Sequence, residues 1–277
     1  MIPSPTSFTF EPLFLALAVL AGVLYVRAAR AAAEPPSRWR AASFGAGLVM
    51  IAASLNSPLE TLAAHYSLLM HLLQNVILAD WAPPLLILGL TPSMRRAIAA
   101  RGGRAMRALT RPKVALPVWL VGWYLIHLAV VYDYALENPW ALNLEHALLI
   151  AIGLVFWWPV FSDVPHDPPT LGRTGYVLAG FVGSAFLGLA LTFSGSAFYD
   201  FYERAPRIWG LSPVQDQNFG GILMTSEQAL VFLAATAYLL IRLFHEEEAR
   251  ERAQRERDRA RLAELQEHDW DERTWHG

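Results

Sequence analysis

Seven apolar stretches divide this chain, at about residues 10–28, 40–57, 65–90, 114–134, 140–161, 175–198 and 219–244. In lipid only a helix or a closed barrel satisfies its own backbone polar groups, and a helix needs roughly 20 apolar residues to cross a hydrocarbon core of about 30 Å. Between the stretches lie "AAAEPPSR", "SPLE", "RRAIAARGGRAMRALTRPK", "ENPW", "SDVPHDPPTLGR" and "YDFYERAPRIWGLSPVQDQN", whose Pro, Gly and charges read as loops. With 55% hydrophobic residues in a chain of 277, the bilayer is the expected solvent. The fold class is therefore all-α: a polytopic membrane helix bundle of seven transmembrane helices spanning residues 1–244.

Charge sets the expected orientation. With the N-terminus outside and the C-terminus cytoplasmic, only Arg204 and Arg207 of the 22 Lys and Arg residues stay outside, as the positive-inside rule requires. The first apolar run has no cation before it, and Arg27 and Arg30 follow it, which suits an uncleaved anchor better than a signal peptide, although Ala31 to Ala33 resemble a cleavage site. Residues 245–277 are dense in both signs and pair Glu248 with Arg252 and Glu251 with Arg255 at i, i+4, as a charged cytoplasmic helical tail would.

Several function classes fall away. There is no cysteine, hence no disulfide, thiolate metal site or cysteine nucleophile. A net charge of −2 without a basic, aromatic-laced stripe gives no sign of a nucleic-acid partner. No P-loop, G-x-S-x-G or H-E-x-x-H pattern is present, so the chain is not expected to be an enzyme. The only lysine, Lys113, stands at a helix end, where it cannot carry retinal as a Schiff base in the membrane.

The polar residues inside the apolar stretches are the candidates for function. In the third stretch His71, Gln74 and Asn75 share one helix face, with His65 further out and about 240° away from His71 on an ideal helix. His127 lies towards the outer end of the fourth stretch; Asn143, Glu145 and His146 open the fifth; Asp216, Gln217 and Met224 enter the seventh. On the seven-helix topology these groups meet at one depth, in the outer half. Imidazole suits copper, zinc or haem iron, and thioether suits Cu(I), so His71, His127, His146, His65 and Met224 are the candidate metal ligands and the amides and acids their polar support. Deeper in the membrane, Asp80 precedes Pro83 and Pro84, which lack N–H donors and free carbonyls one turn back. Asp80 and Glu227 are intramembrane acids, read either as local helix repair or as a proton or ion pathway. The aromatic loop "FYDFYERAPRIWGLSPVQDQNFGG", with Tyr132 and Trp140, suits the outer membrane interface, and Trp157 and Trp158 suit anchors at the inner one.

Three segments in register, "HYSLLMHLLQNVILADWAPPLLILGL", "WYLIHLAVVYDYALENPWALNLEHALLIAIGLVFWWPV" and "SPVQDQNFGGILM", resemble the CtaG family of cytochrome c oxidase assembly proteins over roughly residues 50 to 244. The resemblance implies a multi-pass protein of the bacterial plasma membrane that helps a haem–copper oxidase mature. It implies oxidase subunits or other assembly factors as partners and copper as the metal handled. The family's H-M-x-Q-H before A-P-P-L maps onto His71, Leu72, Gln74 and Asn75, so Asn stands where the second His is expected; the H-x-x-E-H-like element maps onto Asn143, Glu145 and His146. An amide is a poor Cu(I) ligand and a good hydrogen-bond partner for imidazole. The alternatives on residue chemistry alone are a haem-binding electron carrier with two axial histidines, or the Asp80 and Glu227 pathway.

Overall fold

The computed structural model describes residues 2–32 and 34–275, with side chains as far as residue 262. Ala33, part of the cleavage-like pattern, and the last two residues of the expected tail lie outside the described residues.

Every regular element among the described residues is helical. α1 (Pro12–Ala31), α2 (Arg38–Leu55), α3 (Pro58–His65) and α4 (Leu68–Val76) are followed by a π-helical turn (Ile77–Trp81) and α5 (Ala82–Gly89). Then come α6 (Pro92–Leu109), α7 (Pro112–Ile126), α8 (Ala129–Glu137), α9 (Pro139–Phe161), α10 (Thr170–Phe193), α11 (Asp200–Arg204) and the long α12 (Pro213–Trp275). Among the described residues five helices are long and apolar enough to cross a membrane, or up to seven if the bent pairs α2 with α3 and α7 with α8 each count as one span.

The bends explain where simple hydropathy misplaces the boundaries. The stretch predicted at 65–90 begins at Leu68, because Ser67 caps α4 by accepting from the Met70 N–H, and His65 ends a separate helix. "SPLE" is a helix start rather than a loop: Ser57 accepts from the Leu59 N–H and Pro58 occupies the first turn. The stretch predicted at 114–134 turns by 66° between α7 and α8. "RRAIAARGGRAMRALTRPK" is mostly α6, capped by Thr91 at the Met94 N–H and built from the strong helix formers Ala and Arg.

The two ends of the bundle differ chemically. At one, a half-buried and a buried arginine hold helix C-termini: Arg40 donates to the carbonyls of Leu88 and Leu90 at 3.0 and 2.6 Å, and the buried Arg173 to those of Pro159, Val160 and Ser162 at 3.0, 3.2 and 2.9 Å. Cations there answer the partial negative charge of the helix ends and the carbonyls that lack an intrahelical donor. Asp163 and Asp167, each 2.7 Å from Arg173, complete its shell. At the other end lie α3, α4, α8 and α11 with His65, His71, His127 and His146.

Between the two, aromatic residues fill the core. Trp119, Trp123 and His127 stack at i, i+4 along α7, with centroids 5.8 and 4.7 Å apart, and Phe156, Trp157 and Phe232 close against them. Trp157 and Trp158 are thus buried core residues, not the interfacial anchors predicted for them; the Trp158 indole donates to the Val164 carbonyl at 2.6 Å. Trp140 remains exposed. Close crossings use glycine: a Cβ on Gly220 would stand 2.8 Å from Leu72 Cδ1 of α4, and one on Gly221 2.6 Å from the Thr192 N of α10.

Before Pro83 and Pro84 the chain adopts the π-helical turn, where the Ala82 N–H bonds the Ile77 carbonyl. Asp80 within it is buried and accepts from the Gln228 side chain of α12 at 3.0 Å, so the carboxyl pairs across the bundle rather than with its own backbone. Glu227 is one residue and therefore about 100° away from Gln228 around α12, and it is partly exposed. The two acids proposed as one pathway are not brought together.

Candidate functional site

Three helices converge on one buried polar cluster at the histidine end. α4 supplies His71 and Asn75, one turn apart; the C-terminus of α7 supplies His127; α9 supplies the adjacent Glu145 and His146. His71 Nε2 lies 3.3 Å from Glu145 Oε1, without the alignment of a hydrogen bond. The Asn75 amide nitrogen sits between the two sides, 3.3 Å from Glu145 Oε1 and 3.5 Å from His127 Nε2. The His71 and His146 ring centroids are 6.2 Å apart, and Phe14 of α1 closes the far edge of His146 at 6.1 Å.

The hydrogen bonds at the back of two rings fix which nitrogen faces the cluster. The Tyr202 hydroxyl donates its one proton to the Ala63 carbonyl, so at 2.8 Å from His71 Nδ1 it accepts, and Nδ1 carries the hydrogen. His127 Nδ1 lies 2.7 Å from the Trp123 carbonyl and must donate to it. In their neutral forms both rings therefore direct an Nε2 lone pair towards Asn75 and Glu145. Burial, with Glu145 the next cause, holds the Tyr202 phenol well above its ordinary pKa, so it remains a neutral hydroxyl.

Six polar atoms here are buried without a hydrogen-bond partner: His71 Nε2, Asn75 Oδ1, Tyr132 Oη, Glu145 Oε2 and both ring nitrogens of His146. Isolated orphans of this kind cost about 1–3 kcal/mol each, and native interiors avoid them unless an ion, water or ligand answers them. A metal–imidazole bond of about 2.0–2.1 Å puts an ion roughly 3.2 Å from the ring centroid. The His71 and His146 centroids stand close to twice that distance apart, with the rings edge-on at 70°. Among the described residues, no group of three or more His, Asp or Glu side chains is arranged to hold a metal ion.

Other sequence candidates do different work. Gln74 is buried but turns from the cluster to Glu60 Oε2 and to the Ser54 carbonyl, at 2.5 and 2.8 Å. Asp216 accepts from the Ser67 hydroxyl and the Leu68 N–H, both at 2.7 Å, and so caps α4 from α12. Gln217 accepts from the Phe198 N–H at 2.7 Å and donates to the Ser196 carbonyl at 3.0 Å, pinning the segment before α11. Met224 is buried against Gly188 of α10, His65 is half-buried on α3 and Asn143 is partly buried on α9. The late start of α4 leaves His65 on a different helix from His71, and no hydrogen bond ties it to the cluster among the described residues.

Sequence reasoning missed Glu60 and the tyrosines. Tyr199 and Tyr202, expected at the membrane interface, are buried, and the Tyr199 hydroxyl donates to the His127 carbonyl at 3.0 Å. Tyr132, also expected in the interfacial belt, is wholly buried, with its ring 4.8 Å from His71 and 4.5 Å from Tyr199. A signal for Glu60 existed, since an acid between two apolar stretches needs a partner; none existed for the inward turn of Tyr202.

Among known protein families, a family model described as cytochrome c oxidase caa3 assembly factor (Caa3_CtaG) matches residues 20–246. No curated protein and no solved structure matches the chain.

Proposed function

Because the chain belongs to the cytochrome c oxidase caa3 assembly factor family, we propose that it serves the maturation of that oxidase by handling copper as cargo at the His71, His127, His146 and Glu145 cluster. The six unpartnered polar atoms buried there carry this reading. Three of the six are imidazole nitrogens, and a site of two rings suits the low coordination numbers of Cu(I) better than it suits four-coordinate zinc. Glu145, Asn75 and Tyr202 would orient the rings rather than carry the ion.

In this reading the protein lies in the bacterial plasma membrane with seven spans. Its histidine end faces outward, where copper is delivered, and its arginine end and tail face the cytoplasm. It acts without catalysis, by passing the ion to an oxidase subunit or another assembly factor.

Two measurements test it. Competition with a Cu(I) chelator should show a bound ion in the wild type and none in the His71→Ala, His146→Ala double variant; equal retention would overturn the copper assignment. Deleting the protein from its host should lower the amount and copper content of the assembled oxidase, and unchanged oxidase would overturn the assembly role.

A further inference from the structure

At the opposite end of the bundle α6 carries charge that no acid among the described residues answers. From Trp81 to Tyr132 the sequence holds no Asp or Glu, yet Arg95, Arg96, Arg101, Arg104, Arg107, Arg111 and Lys113 fall within it. Arg95 turns inward and donates to the Phe161 carbonyl. The other six are exposed, and none is in an ion pair among the described residues. The contrast with the rest of this end is sharp: Arg173 and Arg242 pair with Asp163, and Arg250, Arg252 and Arg255 pair with glutamates along α12.

The helix is also tied to the rest of the bundle near both ends. The Arg95 bond to α9 fixes its start, and His166 Nε2 bonds the Arg107 carbonyl at 2.7 Å near its end. Met94 is buried and Met106 partly so, while Ile98 and Leu109 remain 40% and 41% exposed. Gly103, at φ 54°, breaks α6 into two short arms without detaching it. A cationic helix with protruding apolar side chains, joined directly to the membrane-crossing segments α5 and α7, has the form of an interfacial element. Clusters of about 4–8 cations beside a span attract anionic headgroups, an attraction that falls off within a Debye length.

We propose that α6 binds anionic phospholipid, with Arg96, Arg101, Arg104, Arg107, Arg111 and Lys113 gripping headgroup phosphates while Ile98 and Leu109 enter the acyl boundary. Phospholipid is favoured over a soluble acidic partner because the apolar side chains stand beside the charges at the membrane edge. The surface then holds the protein preferentially in anionic lipid, independently of any metal at the other end.

The absence of cysteine makes the test clean. A spin label on Ile98→Cys of the full chain, in nanodiscs of phosphatidylcholine alone or with phosphatidylglycerol, reports depth through its accessibility to oxygen and to a nickel chelate. The label should sit deeper in the anionic disc, and the difference should vanish in the Arg96→Gln, Arg101→Gln, Arg104→Gln variant and shrink at high salt. Equal depth in both discs would overturn the proposal. So would inorganic phosphate or glycerophosphoglycerol reproducing the shift in neutral discs, since the site would then take free phosphate. A label at Leu109→Cys, beyond the break at Gly103, repeats the measurement should the first variant fold poorly.

Discussion

The hydroxyl of Tyr202 stands 2.8 Å from His71 Nδ1 and gives its own proton to the Ala63 carbonyl. A short helix outside the apolar stretches thereby decides which nitrogen of a membrane-buried histidine is free. Tyr202→Phe leaves both Nδ1–H and the Ala63 carbonyl unpaired, at a cost of about 1–3 kcal/mol. A lowered melting temperature in detergent is expected, and nitrogen NMR of labelled His71 should show its tautomer preference lost. An unchanged tautomer would mean that Tyr202 only packs.

Asp216 accepts from the Ser67 hydroxyl and the Leu68 N–H, joining α12 to the start of α4. Asp216→Ala should destabilise the protein by about 1–3 kcal/mol, because two buried donors lose their partner. Asp216→Asn, which keeps an acceptor, should lose less. Thermal melting of the two variants gives the order, and equal melting would deny the cap.

Gly153 lets α9 close over the π-helical turn. A Cβ there would collide with the Ala79 carbonyl oxygen and stand 2.8 Å from Pro83 Cγ. Gly153→Ala should therefore lower stability by about 1–3 kcal/mol or more, since the obstacle is backbone and cannot rotate away. Gly175→Ala, inside α10 with open space around its Cβ, is the control and should melt no lower than the wild type.

Asn75 holds the position between His127 and Glu145. If copper is the cargo, Asn75→His adds an imidazole to the cluster and should tighten Cu(I) binding about tenfold or more in chelator competition. No change in affinity would place the ion, if bound, away from α4's second turn.

The cluster's composition was legible residue by residue, because histidines and acids are conspicuous in apolar helices: His71, His127, Glu145 and His146 do converge. Their partners were not. Gln74 follows His71 by three positions, which places both on one face, yet that face is wide enough for one side chain to reach Glu145 and the other Glu60. Asp216 and Gln217 look like ligand-supporting groups in sequence; in space they fasten backbone, which depends on where α12 meets α4.

Sequence alone determined the helical architecture, since hydrocarbon forces each backbone to satisfy itself locally over a length that hydropathy reveals. It also gathered cations away from the histidines, because charge is costly in lipid. Only the tertiary structure decided that Tyr202 turns inward, that His65 falls on a different helix from His71, and that Asp80 pairs with Gln228. Those outcomes depend on helix rotation, on the bends after Leu55 and Ile126, and on close approach at Gly153 and Gly220, which are relations between distant segments.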